Sequence, residues 1–314
     1  MADAELRELF ARAGCQGWLC VLEVDGDGAV ADGADEPVAA ASVVKVAVAL
    51  EVFRQASAGR LDPRQRISVG ADRRTAGPTG LSVLADDAEL SVRDLVTMML
   101  TVSDNAATDA LIDLVGLDRV HATLAGLGLP GTVIPMPLRD ELDVLGQAAG
   151  FGSWSGLEAA KVTADEEQRA QERMLASATL NPRRGIRTTA RETATLLRLI
   201  WRDEAGPAAA CAPVRRAMAR QVTRHRLGMG FSRRGYRIAA KSGTWIGLVR
   251  NEAGVITIPD GRRYAAAVFT RADRQWDREQ EIDAAIGAAA AVAVRRLSGA
   301  GVGAAGPGQT RRAH

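Results

Sequence analysis

Of the 40 lysines and arginines in this chain only three are lysine, Lys45, Lys161 and Lys241, and two of them sit in Ser-x-x-Lys and Lys-Ser-Gly-Thr. Arginine keeps its proton in a protein, whereas a buried or crowded lysine can release one. A sequence that uses arginine for ordinary charge and keeps lysine at those two places points to an amine that works as a base. Ser42 and Lys45 are three residues apart in an apolar helical stretch, which places them on one face a single turn apart. That geometry permits a nucleophile and its base. Between Val38 and Leu50 the only ionisable side chain is Lys45, so its ammonium is enclosed by valines and must find a partner or lose its proton more readily. A second lysine nearby would push it further the same way. Ser-x-x-Lys alone is a weak pattern, and chance occurrence is the plain alternative.

Ser103-Asp104-Asn105 stands at a junction between two helical stretches. Ser103 there could pass a proton to a leaving nitrogen while the Asn105 amide grips a substrate; the alternative is helix capping, which all three residue types favour. Lys241-Ser242-Gly243-Thr244 ends a β-rich stretch, and Gly243 lets backbone and substrate approach closely, unless the segment is an ordinary edge-strand terminus. His121, His225 and His314 are the only histidines, so a Ser-His-Asp triad or a histidine-rich metal site has little support. No metal or cofactor is expected. Cys15, Cys20 and Cys211 lack metal-ligand spacing and read as reduced, structural residues.

The elements that must position these residues fall in a telling order. Met1–Gly14 reads as an amphipathic charged helix, Gly17–Val24 as a strand, and Asp25-Gly26-Asp27-Gly28 as a hairpin turn into a return strand. Residues 42–57 are apolar on nearly every face and predict a buried core helix. Helices follow at Ser91–Thr101, Asn105–Val115, Leu117–Ala125 and Ala190–Trp201. Strands return at Tyr236–Lys241, Gly254–Ile258 and Tyr264–Thr270, and Glu279–Leu297 is an Ala-rich closing helix. Both ends of the chain must then share one sheet, with an all-helical lobe inserted between them and an active site at the seam. The expectation is a single domain over 1–298, its sheet lobe from about 1–41 and 202–298 and its helical lobe about 42–201, with a disordered Gly, Ala and Arg tail at 299–314.

Length and charge fit that plan. A chain of 314 residues suits one large domain or two lobes. The net charge is only +2 and the arginines are interleaved with acids, which argues against a nucleic-acid or membrane partner and for a small-molecule substrate. A monomer is expected. No apolar stretch follows a basic start, so a cytoplasmic location is expected, or export if the chain is the processed form of a longer one.

Taken together in this order, Ser42-x-x-Lys45, Ser103-Asp104-Asn105 and Lys241-Ser242-Gly243 resemble the signature of class A serine β-lactamases and penicillin-binding proteins. The likeness extends to Leu90–Leu95 running into Val102–Thr108, to Thr188-Thr189-Ala190 and to Arg250-Asn251-Glu252, over about residues 3 to 297. It implies an α+β fold: a three-layer α/β/α sheet lobe with an antiparallel sheet of about five strands, plus an all-α lobe. Under the resemblance Lys45 is the base for Ser42, and Ser103 and Lys241 handle the leaving-group proton. Arg250 helps Lys241 and Thr244 hold a substrate carboxylate, and the backbone amides of Ser42 and Thr244 form an oxyanion hole. Asn105, Ser242 and Gly243 complete the substrate-binding set.

The same resemblance breaks at the step that releases the acyl group. Class A enzymes carry the glutamate for the deacylating water on Arg-x-Glu-x-x-Leu-Asn. Here Arg139-Asp140-Glu141 is followed by Val144-Leu145-Gly146, and a Leu180-Asn181 appears far downstream. An insertion that could cover the site as a lid separates the halves. Lys161 falls in it and reads as a solvated charge. Glu141 is therefore the candidate deacylation base, with a surface pairing to Arg139 as the alternative. Trp245 could narrow the pocket or pack against the enlarged loop. The implied function is a serine hydrolase that opens a β-lactam antibiotic or related cyclic amide through a Ser42 acyl-enzyme. Alternatives are a D-Ala-D-Ala peptidase, an intracellular amidase, esterase or acyltransferase on the same scaffold, and a penicilloyl-binding module without turnover.

Overall fold

In the computed structural model, which describes residues 3–299, the two ends of the chain build one antiparallel sheet. Helix α1 (Ala4–Ala13) begins where the Asp3 carboxylate accepts the N–H groups of Glu5 and Leu6, and ends at Gly14 in the left-handed region that glycine favours. Strands β1 (Cys15–Glu23) and β2 (Ala29–Asp32) follow as a hairpin closed by Glu23 N–H on the Gly28 carbonyl at 2.8 Å. The remaining strands are β3 (Arg237–Trp245), β4 (Val249–Thr257) and β5 (Arg263–Ala272), and the spatial order is β2-β1-β5-β4-β3. Five strands, all paired antiparallel, agree with the expected fold class. The site strand β3 is thereby left at an edge, with backbone groups free to meet a ligand.

Alternation along the strands divides the interior in two. Cys20, Leu22, Ala265, Ala267 and Phe269 face one apolar cluster, while Leu19, Val21, Tyr264, Ala266 and Val268 face the other. The closing helix α12 (Glu279–Ser298) covers the second face with Ala289, Ala290 and Ala293, whose small side chains let it lie close to the strands. On the first face stands α2 (Lys45–Ser57), with Val46, Val48, Leu50 and Val52 all buried, as its apolar circumference predicts. Each such side chain removed from water is worth about 1.5–3 kcal/mol. Around it pack α3 (Val92–Thr101), α4 (Asn105–Val115) and α5 (Leu117–Gly126). Helix α10 (Ala208–Met218) also packs on α2, and the short α11 (Leu227–Gly230) rides on α12.

Two regions differ from the sequence expectation. Helix α9 (Ala190–Trp201) has the predicted bounds but lies on the sheet against β1 and β5, because Ala190, Thr193, Ala194 and Leu197 give it a flat buried face. The stretch around and beyond Glu141 holds not one charged helical run but three helices, α6 (Leu138–Ala149), α7 (Trp154–Ala159) and α8 (Ala164–Leu175), with α7 and α8 packed on α6. The pattern's Leu-Asn positions are Val144 and Leu145, the latter fully buried, and the glycine that follows is needed for a steric reason: a Cβ on Gly146 would lie 2.0 Å from the Ser153 carbonyl carbon. The three cysteines are free and buried, and burial pushes the thiols of Cys15 and Cys20 up to about 12 and about 11. The expected tail lies outside the described residues, apart from Gly299 at the end of α12. Among the described residues no helix is long and apolar enough to cross a membrane.

Candidate active site

The apolar run that makes α2 a core helix begins with a tighter turn. Residues 41–44 are 3₁₀, so Ser42 stands one turn ahead of the α-helix that Lys45 opens. Ala41 is held at φ 47, a conformation costly for a residue with a side chain, and it aims the turn at the edge of the sheet. There Gly243 of β3 accepts the turn closely: a Cβ on it would sit 3.0 Å from the Ala40 carbonyl oxygen and 3.2 Å from Ser42 N. Buried Asn251 on β4 donates Nδ2–H to the carbonyls of Ala39 and Ala40 at 2.9 and 3.3 Å. The nucleophile's turn is thus clamped to two strands.

Lys45 and Lys241 are both fully buried, and they converge on one hydroxyl. Lys45 Nζ lies 3.3 Å from Ser103 Oγ, and Lys241 Nζ 3.0 Å from the same atom. Lys45 also donates to the Ser103 carbonyl at 2.7 Å and to Asn105 Oδ1 at 2.8 Å, and Lys241 to the Ser242 carbonyl at 2.6 Å. Burial brings Lys45 down to about 7, against the pull of Asp104 and Asp109, and drives Lys241 well below the usual lysine value, with the neighbouring Lys45 and Arg226 charges adding to it. An amine near neutrality can take a proton from a serine one turn away. Ser103 is itself strained, at φ 62.

The capping reading of Ser103-Asp104-Asn105 holds for its middle residue. Asp104 is the cap: its Oδ1 accepts Ala107 N–H at 3.0 Å, and its Oδ2 accepts Leu81 N–H at 2.6 Å. Ser103 and Asn105 turn their side chains to the lysines, and Asn105 Nδ2–H is fixed on the Ala76 carbonyl at 2.9 Å. Along β3 the Ser242 N–H leaves the sheet's outer edge to reach Gln221 Oε1. Two residues on, Thr244 presents its N–H to that same edge, beside the turn that carries Ser42 N. The pair has the placement of an oxyanion hole.

The expected carboxylate clamp is rearranged. Arg250 stands across from Thr244, but its guanidinium is ion-paired with buried Asp283 at 2.6 Å and with Glu279. The guanidinium that reaches Thr244 belongs to Arg226, which donates to Thr244 Oγ1 at 2.6 Å, to the carbonyls of Gly243 and Asn251 at 2.8 and 2.7 Å, and to Asp283 at 2.9 Å. Asp283 draws Arg250 back because burial makes its charge costly without a paired guanidinium. No spacing in the sequence links residue 226 to 244, and Arg224, Arg233 and Arg234 stand equally close upstream of β3.

Glu141 lies inside the protein, not at a surface pairing with Arg139. It is 4 % exposed, beside the backbone of Ile186, and burial raises it to about 7. The Ile186 carbonyl accepts Ala40 N–H at 3.1 Å, so the glutamate sits behind the short strand Val38–Ala39 that leads into Ser42 and pairs with Arg187–Thr188. Arg139 pairs with Asp113 at 2.7 Å instead. Helix α6 has no side chain of its own to cap it; Asp109 of α4 takes the N–H groups of Leu138 and Arg139, each at 2.8 Å. The far end of the insert is tied to the turn after Thr244, where Gln171 meets Gln275 and Gln275 donates to the Ile246 carbonyl at 2.8 Å. Trp245 belongs to the apolar cluster that includes Leu175 and Leu180 of this segment. Among the described residues no group of His, Cys, Asp and Glu is assembled as metal ligands would be.

Comparison with known proteins agrees with the fold. The sequence pattern described as the beta-lactamase enzyme family matches residues 1–297. The beta-lactamase regulatory protein BlaB of Streptomyces cacaoi is 27% identical over 292 residues, which is 89% of this chain and 92% of that one. Among solved structures, a mutant of PBP-A in an acyl-enzyme complex with penicillin-G superposes with a TM-score of 0.71 at 22% identity, covering 93% of this chain and 96% of that one. A beta-lactamase from Sphaerobacter thermophilus gives 0.71 at 24% identity, over 94% and 97%. An ancestral class A beta-lactamase gives 0.72 at 21% identity, over 93% and 98%.

Proposed function

Because the chain belongs to the beta-lactamase enzyme family, we propose that it is a serine acyl-transfer enzyme that opens a β-lactam or a related amide or ester bearing a carboxylate. The observation that carries this reading is the Ser103 hydroxyl held between two buried lysine amines, at 3.3 and 3.0 Å. Neutral Lys45 takes the proton of Ser42 as Oγ bonds to the substrate carbonyl carbon. The oxyanion is met by the N–H groups of Ser42 and Thr244. As the C–N bond breaks, Ser103 gives its proton to the departing nitrogen and is resupplied from the lysine pair. Arg226, Thr244 and Lys241 meet the substrate carboxylate, while Arg250 supports Arg226 through their shared Asp283.

Release of the acyl group falls to Glu141. A carboxyl raised to about 7 by burial is poised to accept a proton from the attacking water near neutral pH. A slowly released acyl-enzyme that serves as a penicilloyl-binding module is the second reading, and the relative named as a regulatory protein favours it. Intact-protein mass spectrometry with a penicillin, beside turnover of a chromogenic cephalosporin, tests both. A Ser42-dependent adduct with turnover supports the hydrolase, and an adduct without turnover the binding module. No adduct and no turnover removes the β-lactam reading.

A further inference from the structure

We propose that Glu252 and Gln221 are a buried positioning pair, in which the carboxylate fixes the orientation of the Gln221 amide so that its oxygen holds the substrate-facing edge of β3 at Ser242. The inference rests on the acylation reading above and adds to it two residues that make no contact with the reacting groups. Glu252 is 1 % and Gln221 3 % exposed. Glu252 Oε1 accepts Gln221 Nε2–H at 2.7 Å, and its Oε2 accepts Leu227 N–H at 2.6 Å. The second Nε2–H goes to the Thr223 carbonyl at 2.9 Å. The amide oxygen is left for Ser242 N–H.

The logic is one of unambiguous donors and acceptors. An ionised carboxylate only accepts, so facing Glu252 the glutamine must present its NH₂ group; opposite another amide it could flip. Fixing Ser242 fixes the strand on both sides of it. On one side the Ser242 carbonyl is a partner of Lys241 Nζ at 2.6 Å, and on the other Thr244 carries the oxyanion N–H. A buried carboxylate is costly unless charge and hydrogen bonds answer it. Burial pushes the Glu252 carboxyl up, and the hydrogen bonds from Leu227 and Gln221, then the charges of Arg226 and Lys241, act against it. Asp283 faces Arg226 from α12, and Lys45 faces Lys241 from α2, so no other acid lies among the groups named around the Lys241 ammonium.

The test uses the full chain and benzylpenicillin. Gln221→Met keeps length and apolar volume but cannot accept from Ser242 N–H. Its second-order rate constant for forming the Ser42 adduct, corrected for folded fraction, should fall ~10- to 100-fold through misplacement alone. Hydrogen exchange of a peptide spanning 241–245 should quicken. Glu252→Gln keeps an acceptor for Gln221 but removes the charge. It should cost only a few-fold and move the alkaline limb of acylation to lower pH, since the Lys241 ammonium loses a neighbouring anion. A packing role alone would lower the melting temperature without moving that limb. Gln221→Met with an unchanged rate constant overturns the proposal. A wild type that forms no adduct sinks the acylation reading and the catalytic half of this one with it; exchange at 241–245 then decides whether the pair holds the strand at all.

Discussion

The lysine cluster and the α6–α8 insert meet at the strand that leads into Ser42, yet they are held by different means. In the cluster, side chains from α2, the α3–α4 junction and β3 bond directly to one another inside the core, with both lysines fully buried. The insert is hung at its ends: Asp109 holds its first turn, and Gln275 links its last helix to Ile246. The groups proposed to form the acyl bond are therefore part of the fold's core, whereas the residue proposed to break it rides on an appended unit. The first should be lost only with direct removal of its groups, and the second should be adjustable.

Removing the cluster's groups has the largest effect. Ser42→Ala should abolish the penicillin adduct and lower turnover by at least about 10³-fold. A variant that still forms an adduct would place the nucleophile elsewhere. Lys45→Met should slow acylation by about 10²–10⁴-fold. In the wild type the acylation rate should climb with pH through about 7, as the amine becomes free to accept a proton. A flat profile between pH 6 and 8 would break the assignment of Lys45 as base.

Glu141→Gln tests the other side of the comparison. Acylation should stay within a few-fold of wild type while deacylation slows by about 10²–10³-fold, so that the adduct accumulates in mass spectra. Equal loss in both steps would show that the two regions are not separable. The same residues should also leave opposite marks on stability. Glu141 is raised from 4.5 to about 7, so the folded state binds the extra proton between those values, and stability falls as pH rises through that window. Lys45 is lowered from 10.5 to about 7, so the unfolded state binds the extra proton there, and stability rises from pH 7 toward 10.5. The first swing is on the order of 3 kcal/mol and the second on the order of 5 kcal/mol. Chemical denaturation across pH should lose the first slope in Glu141→Gln and the second in Lys45→Met.

How much of this was legible in the sequence follows the same division. Ser42, Lys45, Ser103 and Asn105 are separated by fixed local spacings, and helices α4 and α9 appear with the bounds their periodicity gives. Arg226, Asp109, Gln221 and Glu252 act through partners far away along the chain, which no local pattern reveals. Backbone strain was equally hidden. Among the described residues the positive-φ positions other than glycine are Ala41, Ser103, Asp203, Ile246, Trp276 and Arg278. Ala41 precedes the nucleophile, Ser103 is the proposed proton carrier, and Ile246 follows Thr244 by two residues. None is a glycine that would announce the conformation. In the insert only the charged run of α8 shows as helix in the sequence; α6 and α7 are hidden because Gly146, Gly150 and Gly152 break the helical pattern, although Gly146 is there to let α7 cross α6.

The smallest predicted effect is the sharpest test of separability, because it changes one atom. Asp109→Asn keeps one oxygen for the first turn of α6 but turns an NH₂ group toward either Leu138 N–H or Arg139 N–H, leaving a buried donor facing a donor. Part of that loss is offset, since burial already disfavours the Asp109 charge, and the net destabilisation should be about 1 kcal/mol. Glu141 sits on that turn and should lose its placement, slowing deacylation a few-fold. Acylation should move the other way or not at all. The Asp109 carboxylate helps to keep the proton on Lys45, so removing its charge leaves more of the amine neutral at pH 7. A variant in which acylation falls together with deacylation would mean that α6 supports the lysine cluster itself, and the contrast between a core-built first step and an appended second one would fail.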